Sequence, residues 1–279
     1  MPATQLAIFL SGMIAAEPLR VYLDLDPAFI QLWHAVYDID MRFAGHSHFV
    51  TIGTAIGQPD CTVPACGLDW MTTMQPIVLD YWPVAQRITY DALTTIGNWR
   101  GYGSIEQDGV FYGQKAHSLR EFMDLPTRTS EKFMPALAIH PAEKKDLEAL
   151  ASNGWQLLDP AQVAATPQRY REFIQGSKAE FGIAKSGYVA SRCGWFSDRS
   201  VCYLASGRPV IAQETGFSRF LPVGAGLFAF TNTDEALAAI NAMNDDYAAH
   251  AQAARVLAVE HFDSDKVLTN LLQRIGAVL

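Results

Sequence analysis

Basic residues are the first shortage in this chain: 21 Lys and Arg stand against 29 Asp and Glu, a formal net charge of −8. That balance excludes loose, sequence-independent binding to nucleic acid or to anionic membrane, where clustered cations supply most of the affinity. It leaves room for a local basic pocket. Long apolar runs are also missing, and none approaches the roughly 20 residues that a helix needs to cross a bilayer. The first ten residues carry no positive charge ahead of their apolar stretch, so they do not read as a secretory signal. A cytoplasmic location is expected. Cysteine is scarce, at positions 61, 66, 193 and 202. The Cys61/Cys66 spacing is C-x4-C with no second pair and no His at zinc-ligand spacing. This speaks against a structural zinc site, and reduced thiols are expected over a disulfide. His46 and His48 alternate onto one face of a strand, yet no third ligand stands near them in sequence. No Walker A motif occurs, and Gly101-Tyr-Gly103-Ser-Ile-Glu106 breaks the G-x-G-x-x-G pattern at its third position. These absences weigh against ATP and NAD as cofactors.

What is present is an ordinary core-forming composition. With 49% apolar and 18% charged residues in 279, the chain is able to bury a large core in one or two domains. Short β signals are read at 6–10, 20–25, 48–53 and 76–79, with a helix at 28–37 whose Phe29, Leu32, Trp33 and Val36 keep helical spacing. Tyr81-Trp82-Pro83 reads as a linker. Beyond it strands and helices alternate: strands at 93–96, 135–139, 155–158, 209–213 and 226–230, helices at 115–123, 141–152, 167–177, 198–207, 233–243, 247–261 and 264–275. Such repetition predicts a mainly parallel sheet covered on both faces, with ligands beyond the carboxyl ends of the strands.

The densest signal lies between 180 and 230, and it opens on a strand at Glu180-Phe-Gly-Ile-Ala-Lys-Ser. A short helix begins at Ser197-Asp198 and stops at Gly207, a buried strand follows, and Thr215-Gly216-Phe217-Ser218 makes a turn. Two helix or turn N-termini are expected to aim their unpaired N–H groups at one crevice, an arrangement suited to a nucleotide diphosphate. The stretch Val201-Cys-Tyr-Leu-Ala-Ser-Gly-Arg-Pro-Val-Ile-Ala, then Thr-Gly-Phe-Ser, then Gly-Leu-Phe-Ala-Phe-Thr-Asn-Thr-Asp-Glu-Ala-Leu, resembles the donor-binding domain of group 1, family 4-like glycosyltransferases of the GT-B fold. It is nearest to the bacterial branch related to spore-coat glycosyltransferases. The ending that starts at Glu260-His-Phe-Asp is similar to that branch as well. The resemblance is strong over 178–279, rests mostly on element order over 90–177, and over 1–89 rests on Asp24-Leu-Asp26-Pro.

The resemblance implies an α/β protein of two Rossmann-like domains facing each other across a cleft. Residues 1–88 would form the acceptor side, apparently incomplete, and residues 89–279 the nucleotide-sugar side. It implies transfer of a sugar, hexosyl in type, from a nucleoside diphosphate sugar to a hydroxyl acceptor, with no metal and no cofactor beyond that co-substrate. The donor contacts it suggests are Trp99, Arg100, Lys115, His140, Tyr188, Ser197, Asp198, Arg199, Thr215, Gly216, Phe217 and Ser218. Asp26, at the carboxyl end of an early strand, is the candidate base for the acceptor hydroxyl. Several have plain structural readings too. Asp198 suits a helix cap, Asp26-Pro27 a turn, and His140-Pro141 a strand end. Two departures stand out. Family 4 enzymes carry two glutamates separated by seven residues where this chain has Gly194 and Cys202. The region before the linker is also short for an acceptor domain, so self-association or a completing partner is expected. A non-catalytic nucleotide-sugar-binding module, a subunit of a split transferase and a sugar-nucleotide epimerase remain open alternatives.

Overall fold

A computed structural model describes residues 19–277. The chain begins with β1 (Val21–Asp24), α1 (Phe29–Tyr37), β2 (His48–Thr51) and β3 (Trp70–Thr72). The three strands form a parallel sheet in the order β1-β2-β3, with Asp24 opposite Thr51 and Phe49 opposite Trp70. Asp24 is buried at the end of β1, and its carboxylate accepts from Gln31 Nε2 on α1 and Thr51 Oγ1 on β2, each at 2.8 Å. A buried carboxylate needs such donors, and burial still pushes its pKa up. The Asp26 N–H reaches the same carboxylate at 2.9 Å, which fixes the turn presenting Asp26.

The second part runs through β4 (Tyr90–Asn98), a two-stranded ribbon of β5 (Ile105–Gln107) and β6 (Val110–Tyr112), α2 (Lys115–Arg120), β7 (Phe133–Ala138), α3 (Lys144–Ser152), α4 (Pro160–Val163) and α5 (Pro167–Gly176). It continues with β8 (Ser177–Gly182), α6 (Ser186–Ser191), α7 (Asp198–Ala205), β9 (Val210–Gln213), β10 (Leu227–Phe230), α8 (Thr233–Asp245), α9 (Tyr247–His261) and α10 (Ser264–Arg274). The five long-sheet strands are all parallel, in the order β10-β9-β8-β4-β7. β9 is buried along its whole length, as expected of a parallel strand covered on both faces. Helix starts follow local chemistry: Thr166 Oγ1 accepts the Arg169 N–H ahead of Pro167 at the first turn of α5, and Asn232 Oδ1 accepts the Glu235 N–H of α8.

β4 connects toward β7 on one side, while β8 leads to β9 and β10 on the other. The point of reversal lies between β4 and β8, where an open α/β sheet forms its crevice. One apolar cluster, with Phe133, Phe181 and Phe230, packs with α2 and α8. A second, with Tyr203, Leu204 and Phe262, packs with α7 and α9. A third joins Phe29 and Leu32 of α1 to Ile105, Tyr112, Tyr188 and Cys193. The first sheet ends at Thr72 and the second begins at Tyr90, while this third core draws on residues from both parts.

Three expectations for strands are corrected or fall away. Segment 76–79 forms no strand: only Ile77 bridges, to Asp263, holding the entry to α10. Segment 155–158 runs beside β7 with N–H bonds from Gln156 to the Phe133 carbonyl and from Leu158 to the Pro135 carbonyl. Pro135 has no N–H to return, so the pairing stays a single bridge at Ala136 and Leu158. Strand β3 was not expected at all. The expected strand at 6–10 lies outside the described residues.

Candidate functional site

The carboxyl ends of both sheets face one cleft of ≈ 630 Å³. Leu23, Leu25, Ile52, Met74 and Pro76 line it from the first sheet's side, and Val267, Leu268 and Leu271 of α10 close one flank. Across from them stand Gly97 and Asn98 at the end of β4, Lys115 at the start of α2, Lys185 after β8, and Asp198 and Arg199 at the start of α7. The charged groups of the lining are thus three cations and two carboxylates, Asp26 and Asp198.

Lys115 lies at the switch point and is buried, and its Nζ donates to the Ile183 carbonyl. It forms no salt bridge among the described residues. Burial, followed by the neighbouring Arg199 charge, drives its pKa well below the ordinary lysine value. Gly97 makes this position available, because a Cβ there would meet Lys115 Cε at 3.2 Å. Arg199 is held from below: its Nε donates to the buried Glu180 at 2.5 Å and its Nη1 to the Ile96 carbonyl at 2.8 Å. Burial opposes the Arg199 charge, but Glu180 and its neighbours outweigh it and hold the pKa above the ordinary arginine value.

Asp26 meets Lys185 across the cleft, with Nζ 3.0 Å from both carboxylate oxygens. Tyr102 OH donates to Asp26 Oδ2 at 2.6 Å, and Tyr188 OH donates to Oδ1. Lys185 also donates to both tyrosine hydroxyls and sits 4.3 Å from the Tyr102 ring centre. Burial lowers the Lys185 pKa, with Asp26 opposing. Burial and then the Asp26 charge raise those of Tyr102 and Tyr188.

Of the residues singled out from sequence, Asp26, Lys115, Tyr188, Asp198 and Arg199 come together in this lining. The rest do not. Trp99 is core: it is 1% exposed, and its Nε1 donates to Asp146 at 2.9 Å. Arg100 pairs on the surface with Glu143 at 2.6 Å and faces His117. His140 Nδ1 accepts the Ala142 N–H, so it caps the turn before α3. Ser197 is buried at the α7 N-cap, facing the packing between α7 and β9. The Thr215–Ser218 turn is closed by its own side chains. Thr215 Oγ1 donates to the Trp195 carbonyl, the Gly216 N–H goes to the Glu214 carboxylate, and Phe217 packs on Phe196. Ser218, half-buried, lies in the short 3-10 turn Phe217–Arg219 and outside the cleft lining. The second N-terminus of the expected cradle is therefore not offered to the crevice, and side-chain cations take its place. Tyr188 stacks on Trp195 at 4.5 Å and bonds Asp26. Asp26 reaches the cleft with both oxygens engaged, so no lone pair stands ready for an acceptor proton in this arrangement.

Sequence reasoning missed Lys185, Tyr102, Glu180 and the α10 flank. Lys185 had a readable signal, since it follows the carboxyl end of a buried parallel strand, where such sheets place ligand contacts. Tyr102 had none, because its partner is 76 residues earlier in the chain.

No protein-family model matches the chain, and no curated protein matches it. Solved structures do. HepE of Anabaena, in complex with UDP-glucose, superposes with a TM-score of 0.62 at 12% identity over 98% of this chain and 76% of its own. A glycosyltransferase from Rickettsia africae gives 0.58 at 12% identity over 91% and 69%. Sucrose-phosphate synthase from Thermosynechococcus elongatus gives 0.60 at 11% identity over 92% and 68%. The chain has the GT-B type of α/β fold, in which two Rossmann-like units face each other. No helix among the described residues is long and apolar enough to cross a membrane.

Proposed function

We propose that the cleft transfers a sugar, hexosyl in type, from a nucleoside diphosphate sugar to a hydroxyl acceptor. The chain would then belong with the group 1, family 4-like enzymes of the bacterial spore-coat-related branch, and work in the cytoplasm. The observation that carries this reading is Lys115, a buried amine at the switch point of the sheet that forms no salt bridge among the described residues. An unpaired buried charge is costly, and an anionic ligand in the crevice removes that cost. Departure of a nucleoside diphosphate builds negative charge on phosphate oxygens, and preorganised cations stabilise it where it develops. Lys115 and Arg199 stand on the donor side for this task, so the diphosphate is met by side chains in place of a divalent cation. Asp198 at the rim suits the ribose hydroxyls. Leu23, Leu25 and the α10 flank form the acceptor wall.

Thermal-shift and calorimetric titration with UDP, GDP and their sugars test this. A ligand bound only by the native state at one hundred times its Kd adds about 2.7 kcal/mol of stability, so a clear rise in melting temperature is expected, in chelator as in buffer. Arg199→Ala should weaken nucleotide binding, and Arg100→Ala, on the surface, should not. Absence of any shift with every nucleoside diphosphate would remove the donor site. A binding module without turnover is the second reading, favoured by one observation: both oxygens of Asp26 are already taken.

A further inference from the structure

We infer that Lys185, Tyr102 and Tyr188 form an oxyanion site that the chain fills with its own Asp26, and that a phosphate of the bound donor displaces that carboxylate. This rests on the donor reading above and deepens it. The geometry separates donors from acceptor. All three donors, one ammonium and two hydroxyls, belong to the second part of the chain, in the loop after β4 and at α6. The anion they surround arrives from the first part, at the end of β1. Donors converging on a carboxylate are equally disposed to converge on a phosphate oxygen, because both are bound by charge-assisted hydrogen bonds. Lys185 lines the same cleft as Lys115 and Arg199, so a diphosphate held by those two presents its charge to the third cation.

An internal competitor has two consequences. It raises the apparent Kd by the reciprocal of the fraction of time the site is free, and it returns Asp26 to the cleft only when the anion has arrived. The carboxylate that has no spare lone pair in the resting protein then becomes available to accept a proton from an acceptor hydroxyl, at the moment a donor is in place. No covalent bond is made or broken in this exchange, in which one set of hydrogen bonds passes from Asp26 to phosphate. In the transfer that follows, the acceptor oxygen bonds the anomeric carbon, its proton passes to Asp26, and the bond from the anomeric carbon to the diphosphate oxygen breaks, so that the nucleoside diphosphate leaves with that electron pair.

The test uses the full chain with inorganic pyrophosphate and UDP as separate probes. Asp26→Asn removes the competing charge while keeping shape. Its expected signature is crossed: pyrophosphate and UDP bind about tenfold tighter than to the parent chain, a ratio that corresponds to about 1.4 kcal/mol, while sugar transfer is lost. Lys185→Met is expected to bind pyrophosphate at least tenfold more weakly. Asp26 acting only as a structural ion partner gives the opposite result for Asp26→Asn, with a lower melting temperature and affinity unchanged or reduced. That outcome, in a variant whose circular dichroism is native, overturns the inference. Should Asp26→Asn fail to fold, Lys185→Met decides alone, and wild-type affinity there overturns it. The two readings fail separately. UDP binding and turnover without the crossed signature leave the transferase standing and remove the exchange. Tighter pyrophosphate binding with no nucleotide bound by any variant does the reverse.

Discussion

Lys115 is the residue on which the site's electrostatics turn. Its native pKa lies below the ordinary value of about 10.4, so the folded chain binds fewer protons there than the unfolded chain does. Stability consequently rises with pH through the window between the depressed value and the ordinary one, and the penalty of the buried charge is in force below it. Lys115→Met keeps most of the volume and drops the charge, so the unliganded variant should melt at or above the wild-type temperature. Its affinity for UDP should nevertheless fall by about 10–100-fold, the worth of one hydrogen bond to a charged group. Within the window the anion restores the proton, so UDP binding should take up a proton there, and affinity should decline as pH rises toward the ordinary value of about 10.4. Calorimetry in two buffers of different ionisation enthalpy reads this directly. A binding enthalpy that does not depend on the buffer would mean that Lys115 does not meet the ligand. Lys115 was legible in sequence as a cation opening a helix after a strand. Its isolation from carboxylates was not, because that depends on Glu180 being claimed by Arg199.

Among the elements, α10 shows where a correct pattern hides its use. Val267, Leu268 and Leu271 share one side of the helix, the spacing that normally marks a buried stripe, yet no residue of α10 is fully buried. The stripe faces the cleft instead. Its attachment is mostly polar: the Ser264 N–H reaches the Ile77 carbonyl at 3.0 Å, and Arg274 Nη1 reaches the Thr72 carbonyl at 2.7 Å. Deleting residues 264–279 should therefore lower the melting temperature by only a few degrees, at about 2–4 °C per kcal/mol for a chain of this size. UDP affinity should be kept, because the cations stand on the opposite wall. Transfer to acceptor should fall through a raised acceptor KM. Parallel loss of UDP binding in calorimetry would show that α10 holds the donor as well. The same contrast explains the other elements. β4, β8 and β9 were readable because they are buried runs bounded by turns, whereas β3 is three half-buried residues whose strand character comes from β2 beside it. At 76–79 the apolar residues that read as a strand serve to anchor this helix.

At the scale of the molecule, the parallel α/β plan and its cleft at the strand ends followed from the alternation of elements. The coupling of the two sheets did not. It is made by the ribbon β5–β6 and by α6, which reach back to α1: Phe29 packs edge-on against Tyr102 at 4.8 Å and Tyr188 at 5.7 Å between ring centres. The Ala55 N–H bonds the Cys193 carbonyl at 3.0 Å, and Thr54 Oγ1 donates to the Gly194 carbonyl at 2.8 Å. Contacts between residues about 140 apart carry no local sequence signal. They also set the width of the cleft, since the Asp26 cluster sits directly on this core. A chain whose third core draws on both sheets should unfold in a single calorimetric transition, with van't Hoff and calorimetric enthalpies equal. Phe29→Ala removes the central ring of that core at a cost of about 3–5 kcal/mol, which corresponds to a melting temperature lower by about 10 °C, and the sheets should begin to unfold apart. Nucleotide affinity should drop in the same variant at temperatures where it remains folded, because Lys185 and Tyr102 lose the wall that orients them. Differential scanning calorimetry of the wild-type chain decides the point: two resolved transitions would mean that the first sheet melts on its own and that the cleft width is not fixed by a shared core.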